Sequence, residues 1–161
     1  MSKKPLSFTL NSRETAVFVD PGANLLDTLR RGVGDLSPKY GCGQGTCGAC
    51  SVRIDGALHL ACLTLAETVA GRAVETTAGL AAGPDLHPLQ TAFMEGFAAQ
   101  CGFCTPGMLM AAKTLLDRTP DPTRAEVIEA ISGNLCRCTG YEPIVDAILT
   151  AAGRMRGRVA G

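Results

Sequence analysis

The residues best suited to chemistry in this chain are its eight cysteines. They form two groups of four, which read C-x4-C-x2-C-x11-C and C-x2-C-x31-C-x-C, with no cysteine between the groups. The first group is Cys42, Cys47, Cys50 and Cys62, and the second is Cys101, Cys104, Cys136 and Cys138. Four thiolates are the usual ligands of a [2Fe-2S] cluster, and the opening C-x4-C-x2-C matches the plant-type spacing. The two groups therefore predict two [2Fe-2S] clusters.

The composition restricts the other roles that these cysteines could have. The chain has 161 residues, 46% of them hydrophobic, and a formal net charge of zero, so it lacks the basic surplus that favours nucleic acid or anionic membranes. It has no apolar run of about 18 residues, and its start does not resemble a secretory signal. We therefore expect no membrane span and a cytoplasmic location, where structural disulfides are disfavoured.

The loop that contains the first three cysteines is rich in glycine. Four of the residues from 41 to 50 are glycines. A loop without bulky side chains can turn several backbone N–H groups inward, where they donate hydrogen bonds to the negatively charged sulfurs of a cluster. The composition of this loop thus supports a cluster rather than a merely flexible segment.

The fourth cysteine of the first group follows a predicted hairpin. Segments 51–54 and 57–61 flank Asp55 and Gly56, and Asp-Gly is a strong signal for a two-residue turn. Counting back along the two strands from this turn places Cys62 beside Cys50, at the mouth of the glycine-rich loop. The spacing of eleven residues is then the length of a hairpin.

Each close pair of the second group precedes a predicted helix start. Thr105 is expected as the N-cap and Pro106 as the first residue of a helix that ends near residue 117. Pro143 is expected to open the last helix, which ends near residue 152. Unpaired N–H groups and partial positive charge at helix N-termini suit an anionic iron-sulfur core.

A further helix is predicted over residues 89–100, immediately before the second group. Gln100, its last residue, could cap the helix end or reach a group outside the chain. Four large apolar residues on the helices around the second group are expected to be core or subunit contacts. These are Phe93, Phe97, Met108 and Met110.

Elements before the first group predict a small mixed sheet. Apolar alternation indicates a hairpin of strands 6–10 and 15–20, joined by residues 11–13. A helix over residues 23–31 and a last strand near 72–76 complete an arrangement typical of a β-grasp fold.

The pattern changes after this sheet and becomes wholly helical. We predict an α+β protein with a β-grasp, plant-type ferredoxin-like domain over residues 1–77, a linker over 78–87 and an all-α four-helix domain over 88–161. Glycine and proline interrupt small residues in the linker, as is usual between domains. Each domain would hold one cluster.

Three motifs in this sequence resemble those of a known family, the small [2Fe-2S] subunits of molybdenum hydroxylases, which include xanthine dehydrogenase, aldehyde oxidoreductase and carbon monoxide dehydrogenase. The motifs are GCGQGTCGAC at 41–50, QCGFCTPG at 100–107 and NLCRCTGY at 134–141. The resemblance covers nearly the whole chain. Gly43 is a departure, because many members have Asp or Glu at that position, but it removes no ligand.

The resemblance implies an electron-transfer subunit of a heteromeric oxidoreductase, with no substrate-transforming site in this chain. A large subunit would hold a molybdenum-pterin cofactor, and a medium subunit would usually hold FAD. The second cluster would lie next to the pterin, with Gln100 and Cys138 in contact with it, and the first cluster would lie toward the flavin.

Two other classes of protein also fit parts of the pattern. Two groups of four cysteines could hold two tetrahedral zinc ions in a structural module, although the C-x4-C-x2-C loop and the long gap in the second group argue against it. A stand-alone two-cluster ferredoxin would have a similar first domain. The helical half distinguishes the chain from such a carrier, which does not require it.

Overall fold

The computed structural model describes residues 2–159, and the side chains up to residue 157. Five strands and five α-helices are found in this part of the chain. The strands are β1 (Lys4–Leu10), β2 (Arg13–Val19), β3 (Ser51–Ile54), β4 (Ala57–Leu60) and β5 (Ala73–Glu75). The helices are α1 (Leu25–Asp27), α2 (Pro88–Glu95), α3 (Thr105–Arg118), α4 (Arg124–Ile131) and α5 (Glu142–Val159). The α+β class predicted from the sequence is confirmed.

The strands form one mixed sheet in the order β2-β1-β5-β3-β4. β1 and β5 are parallel, and every other neighbouring pair is antiparallel. The predicted mixed sheet is therefore present, with the last strand at its centre. The first hairpin differs in one detail, because its turn is the two residues Asn11 and Ser12 rather than residues 11–13. Both have left-handed φ angles, 49° and 66°, as a tight two-residue hairpin turn requires.

The helix predicted over residues 23–31 is divided into two parts. α1 is a single turn capped by Asn24, whose side chain accepts the N–H of Asp27 at 2.8 Å. It continues as a π-helix over Thr28–Val33 and ends at Gly34, which has a φ of 88°. The leucines of this segment are buried in the core, and they are Leu25, Leu26 and Leu29.

The described side chains form two hydrophobic clusters, one in each half of the chain. The first joins the inner face of the sheet to α1, with Phe8, Leu25 and Val52 at its centre. The second lies among α2 to α5, with Met108 and Ile148 fully buried. α3 also packs against β3, so the two halves are in direct contact.

Three helices have ends that differ from the sequence prediction. α2 ends at Glu95 rather than at residue 100, because Gly96 caps it and Phe97 takes a left-handed φ of 51°. α3 is capped by Cys104, with Thr105 as its first residue. α5 begins at Glu142, one residue before Pro143, and continues to Val159. No helix within residues 2–159 is both long and apolar enough to cross a bilayer.

Candidate metal centres

The loop of the first cysteine group is shaped by glycines in the left-handed region of φ, where residues with a Cβ are strained. These are Gly43 at 69°, Gly45 at 80° and Gly48 at 69°. The turns direct backbone N–H groups toward sulfur, as the composition predicted. Cys42 Sγ accepts the N–H of Gln44 at 3.5 Å and that of Thr46 at 3.3 Å.

The predicted hairpin register is confirmed. Ile54 pairs with Ala57 and Ser51 with Leu60. The N–H of Ala61 donates to the carbonyl oxygen of Cys50 at 3.2 Å. Cys62 comes directly after Ala61, which is hydrogen-bonded to Cys50. The fourth cysteine of the group, Cys62, therefore lies next to the glycine-rich loop.

The four thiols of the first group are arranged as two pairs. The Cys42 and Cys47 side chains are within hydrogen-bond reach of each other, and so are those of Cys50 and Cys62. A Cβ on Gly41 would lie 2.7 Å from Cys47 Sγ, so the loop is also closed tightly around the sulfurs.

The second group is paired in the same way, across two different segments of the helical half. Cys101 Sγ and Cys138 Sγ are 3.6 Å apart, and the side chains of Cys104 and Cys136 interact with each other. Cys101 and Cys138 are exposed, whereas Cys104 is buried. The fold thus brings together all four cysteines that the sequence assigned to this group.

This pairing fits a dinuclear cluster better than a single metal ion. A [2Fe-2S] cluster has two irons that take two thiolates each, whereas a structural zinc ion takes four ligands at one centre. The donor arrangement therefore favours a [2Fe-2S] cluster over zinc in both groups.

Each group contains one thiol that burial holds in its protonated form and one that ionises easily. Burial raises the pKa of Cys50 to about 12 and that of Cys104 to about 12. Hydrogen bonds from Thr46 and Gln44 lower the pKa of Cys42 to about 6. Metal ligands must be deprotonated, so Cys50 and Cys104 would each have to lose a proton in order to hold iron.

The surroundings of Cys136 stabilise its thiolate. Burial opposes ionisation, but hydrogen bonds from Thr139 and from the backbone of Cys138 outweigh it and lower the pKa of Cys136 to about 7. Thr139 Oγ1 lies 3.1 Å from Cys136 Sγ, and the N–H of Cys136 donates to the hydroxyl of Tyr141 at 2.9 Å. Cys104 is held differently, because it caps α3 and its carbonyl oxygen accepts the N–H of Met108 at 3.0 Å.

Hydrogen bonds connect the two cysteine groups directly. The N–H of Leu135 donates to the carbonyl oxygen of Cys47 at 2.9 Å, and Leu135 is bonded to Cys136. Next to it, the buried Asn134 donates through Nδ2 to the carbonyl oxygen of Gly48 at 3.0 Å. A cysteine of one group is therefore one hydrogen bond and one residue away from a cysteine of the other.

Gln100 is exposed and adjacent to Cys101. The interpretation of Gln100 as a helix cap is wrong, because α2 ends at Glu95 and is capped by Gly96. Phe93, Met108 and Met110 are buried as expected, but Phe97 is 82% exposed.

Sequence reasoning did not identify the supporting roles of Asn134, Thr139 and Tyr141. All three flank Cys136 and Cys138 within a single short segment. Polar side chains so close to two ligands were the available signal.

Comparison with known proteins agrees with this geometry. Residues 8–72 match the 2Fe-2S iron-sulfur cluster binding domain family, and residues 76–149 match the [2Fe-2S] binding domain family. The nicotine 6-hydroxylase small subunit of Paenarthrobacter nicotinovorans is 50% identical over 91% of this chain and 88% of that protein. The aldehyde oxidoreductase of Megalodesulfovibrio gigas is 46% identical over 93% of this chain, which spans only 17% of that longer protein.

The fold is also shared with a solved structure. The quinoline 2-oxidoreductase of Pseudomonas putida 86 superimposes with a TM-score of 0.94 and 46% identity, covering 98% of each chain. Likeness in sequence and fold over nearly the whole length, with a [2Fe-2S]-binding domain in each half, leads to one conclusion: this chain belongs to the small iron-sulfur subunits of the molybdenum hydroxylase oxidoreductases.

Proposed function

We propose that this chain passes single electrons from the molybdenum-pterin site of a large partner subunit, through two [2Fe-2S] clusters, to FAD or another acceptor. Cys42, Cys47, Cys50 and Cys62 would hold the first cluster. Cys101, Cys104, Cys136 and Cys138 would hold the second. The names of its relatives support a role as one subunit of an oxidoreductase.

The observation that carries this proposal is the link between the two groups. Each group has its thiols in two pairs, and the hydrogen bond from Leu135 N–H to the Cys47 carbonyl oxygen joins them. A stand-alone carrier would not need a second site bonded to the first. Two sites in direct contact are suited to passing an electron from one to the other.

The exposed edge of the second group supports its assignment to the molybdenum-pterin side. Cys101, Cys138 and Gln100 are all exposed, so they are accessible to a partner's cofactor. Two large apolar side chains nearby, Phe97 at 82% and Leu135 at 58% exposure, offer a surface for that subunit.

The first group has its own exposed apolar surroundings, which we assign to the acceptor subunit. Tyr40 packs over Gly43 of the loop, and Leu63 packs over Gly45. Both side chains are about three-fifths exposed, at 60% and 61%. This surface would receive the FAD-binding subunit.

We further infer the domain division and the location. A β-grasp domain over 1–77 and a four-helix domain over 88–161 are supported by the two separate hydrophobic clusters, and 78–87 would be the linker. A cytoplasmic location is supported by the free thiols, because a reducing compartment keeps cysteines available for iron.

The test uses the chain co-expressed with its partner subunits. Purified complex should contain about four iron atoms per copy of this chain and give two paramagnetic signals on reduction. Cys47→Ser should remove one signal and Cys136→Ser the other, and each variant serves as the control for its counterpart.

Three outcomes would contradict the proposal. Colourless protein with about two zinc atoms per chain would favour the structural zinc module. Purification of the co-expressed chain without its partner subunits, and with neither molybdenum nor flavin, would favour the stand-alone ferredoxin. Loss of both signals in either variant would mean that the two groups are not independent sites.

A further inference from the structure

The hydroxyl of Thr139 is held against the sulfur of Cys136. Thr139 Oγ1 lies 3.1 Å from Cys136 Sγ, close enough for a hydrogen bond. The same oxygen accepts the N–H of Tyr141 at 3.2 Å. Thr139 is therefore bonded on both sides within the segment that carries Cys136 and Cys138.

The direction of this hydrogen bond follows from the state of the sulfur. A cysteine that ligates iron is a thiolate and has no proton to donate. Thr139 has one hydroxyl proton, and one of its lone pairs is already occupied by the N–H of Tyr141. When Cys136 binds iron, the hydroxyl of Thr139 must therefore be the donor and Cys136 Sγ the acceptor.

A further hydrogen bond closes the segment that contains Thr139. The N–H of Cys136 donates to the Tyr141 hydroxyl at 2.9 Å, and Tyr141 itself has a left-handed φ of 71°. The segment from Cys136 to Tyr141 is thus closed by hydrogen bonds at both ends. This makes Thr139 part of a defined turn rather than a freely rotating surface residue.

We propose that Thr139 is a positioning residue that raises the reduction potential of the second cluster through its hydrogen bond to Cys136 Sγ. This inference rests on the proposed function. Reduction adds one electron to the cluster and increases the negative charge on its sulfurs, while no bond to iron forms or breaks. A hydrogen-bond donor stabilises the more negative, reduced state, and hydrogen bonds to the sulfurs are among the factors that set such potentials.

The experiment is a redox titration of the partner-containing complex, with dithionite as reductant and the two paramagnetic signals as the readout. The second cluster is the one whose signal is absent in Cys136→Ser. We expect Thr139→Val to lower the midpoint potential of that signal. The equilibrium constant for one-electron reduction should fall by about threefold to tenfold, and a tenfold change corresponds to about 59 mV. Thr139→Ser keeps the hydroxyl and should retain the wild-type midpoint.

Thr114→Val is a matched control for the loss of a threonine hydroxyl. Thr114 is buried in the same half, and its hydroxyl donates to the carbonyl oxygen of Met110 at 2.8 Å rather than to a cysteine. This variant should leave both midpoints unchanged. If Thr139→Val does not retain its cluster, Thr139→Ala also removes the hydroxyl and should lower the midpoint potential in the same way.

The failures can be distinguished from one another. An unchanged midpoint in Thr139→Val, an equal shift of both signals, or a shift in Thr139→Ser as large as that in Thr139→Val would overturn this inference alone. Absence of both signals from the wild-type complex would overturn the proposed function, and this inference with it.

Discussion

Gly107 and Gly48 lie in backbone contact, because a Cβ atom on Gly107 would come within 2.3 Å of the carbonyl oxygen of Gly48. Gly107 is in the first turn of α3, and Gly48 is in the loop of the first cysteine group. Their contact lets the helical half approach the loop closely enough for Asn134 and Leu135 to bond to it. Without this approach the two cysteine groups would be further apart.

Gly107→Ala should therefore destabilise the cluster-loaded chain, although alanine is normally better than glycine inside a helix. The added methyl group meets backbone atoms, so we expect a loss of about 1–3 kcal/mol in the free energy of unfolding. Gly153→Ala on α5 is the matched control, since a Cβ there meets nothing within 4 Å. It should add up to about 1 kcal/mol. Denaturation of the two variants should give changes of opposite sign, and a stabilising Gly107→Ala would contradict the contact.

Asn134→Ala should also weaken the contact between the halves. Asn134 is 3% exposed and donates to Gly48, whose carbonyl oxygen also accepts the N–H and hydroxyl of Ser51. The carbonyl stays paired in the variant, so the expected loss is about 1–2 kcal/mol for one buried hydrogen bond and its packing.

The neighbouring substitution Leu135→Ala is the control for this change. Leu135 is exposed, and its bond to Cys47 uses the backbone N–H, which alanine keeps. We expect a change within about 0.5 kcal/mol in urea denaturation of the isolated, cluster-loaded chain. Equal losses for the two variants would show that the Asn134 side chain does not stabilise the interface.

Arg53 is the buried ionic connection between the sheet and α3. Its side chain is 8% exposed and pairs with Glu75 at 3.1 Å and Asp117 at 2.9 Å. Arg53→Met keeps most of the packing but removes the cation from both carboxylates. Because those carboxylates remain about a third or more exposed, the expected loss is about 1–3 kcal/mol, less than for a fully buried pair.

Arg72→Met tests whether that loss depends on burial. Arg72 pairs with Asp55 at 2.6 Å, but both side chains are at least 40% exposed. Exposed ion pairs contribute about 1 kcal/mol or less. In thermal unfolding, Arg53→Met should have a clearly lower melting temperature than Arg72→Met. The reverse order would contradict the structural role of Arg53.

The start of α4 gives a prediction about pH. Thr123 and Glu126 form a capping box, and hydrogen bonds from the Thr123 N–H and hydroxyl lower the pKa of Glu126. Because the pKa is lower in the folded state, the hydrogen bonds to the Glu126 carboxylate stabilise the fold fully at any pH above the ordinary pKa of glutamate. This stabilisation is lost only when the pH falls through the pKa of Glu126 in the folded state. Thr123→Ala should therefore lose about 1 kcal/mol, equally at pH 6 and pH 8.

Thr150→Ala is the control for this cap. Thr150 is exposed on α5, where alanine has the higher helix propensity, so no loss is expected. Denaturant titrations at the two pH values measure both variants. A cost for Thr123→Ala that changed strongly between pH 6 and pH 8 would mean that the carboxylate of Glu126 titrates in that range.

The features predicted correctly from the sequence are those that depend on local chemistry. The Asp55-Gly56 turn determines its own register, and that register brings Cys62 to Cys50 without any distant contact. Grouping the cysteines needed only their spacing. The pairing of Cys101 with Cys138 and of Cys104 with Cys136 was not predictable, because it depends on how α3 and the segment before α5 meet.

The errors occurred where tertiary structure overrides local preference. Residues 96–100 have a helical pattern, but Phe97 in a left-handed conformation ends α2 and leaves Gln100 outside it. Asn134 lies close to Cys136 in the sequence, but its partner could not be predicted, because Gly48 is 86 residues away in the chain. Such contacts require knowledge of the packed halves.

The glycine-rich loop has a consequence for how its sequence can change over time. Gln44 is exposed and supplies its backbone N–H to Cys42 Sγ, and any residue except proline has that group. At Gly48, by contrast, any other residue would combine a left-handed φ of 69° with a Cβ 2.5 Å from the backbone carbonyl oxygen of Gly133. Neutral drift is therefore open at position 44 and closed at Gly48, so natural variation should be concentrated in the first half of this loop.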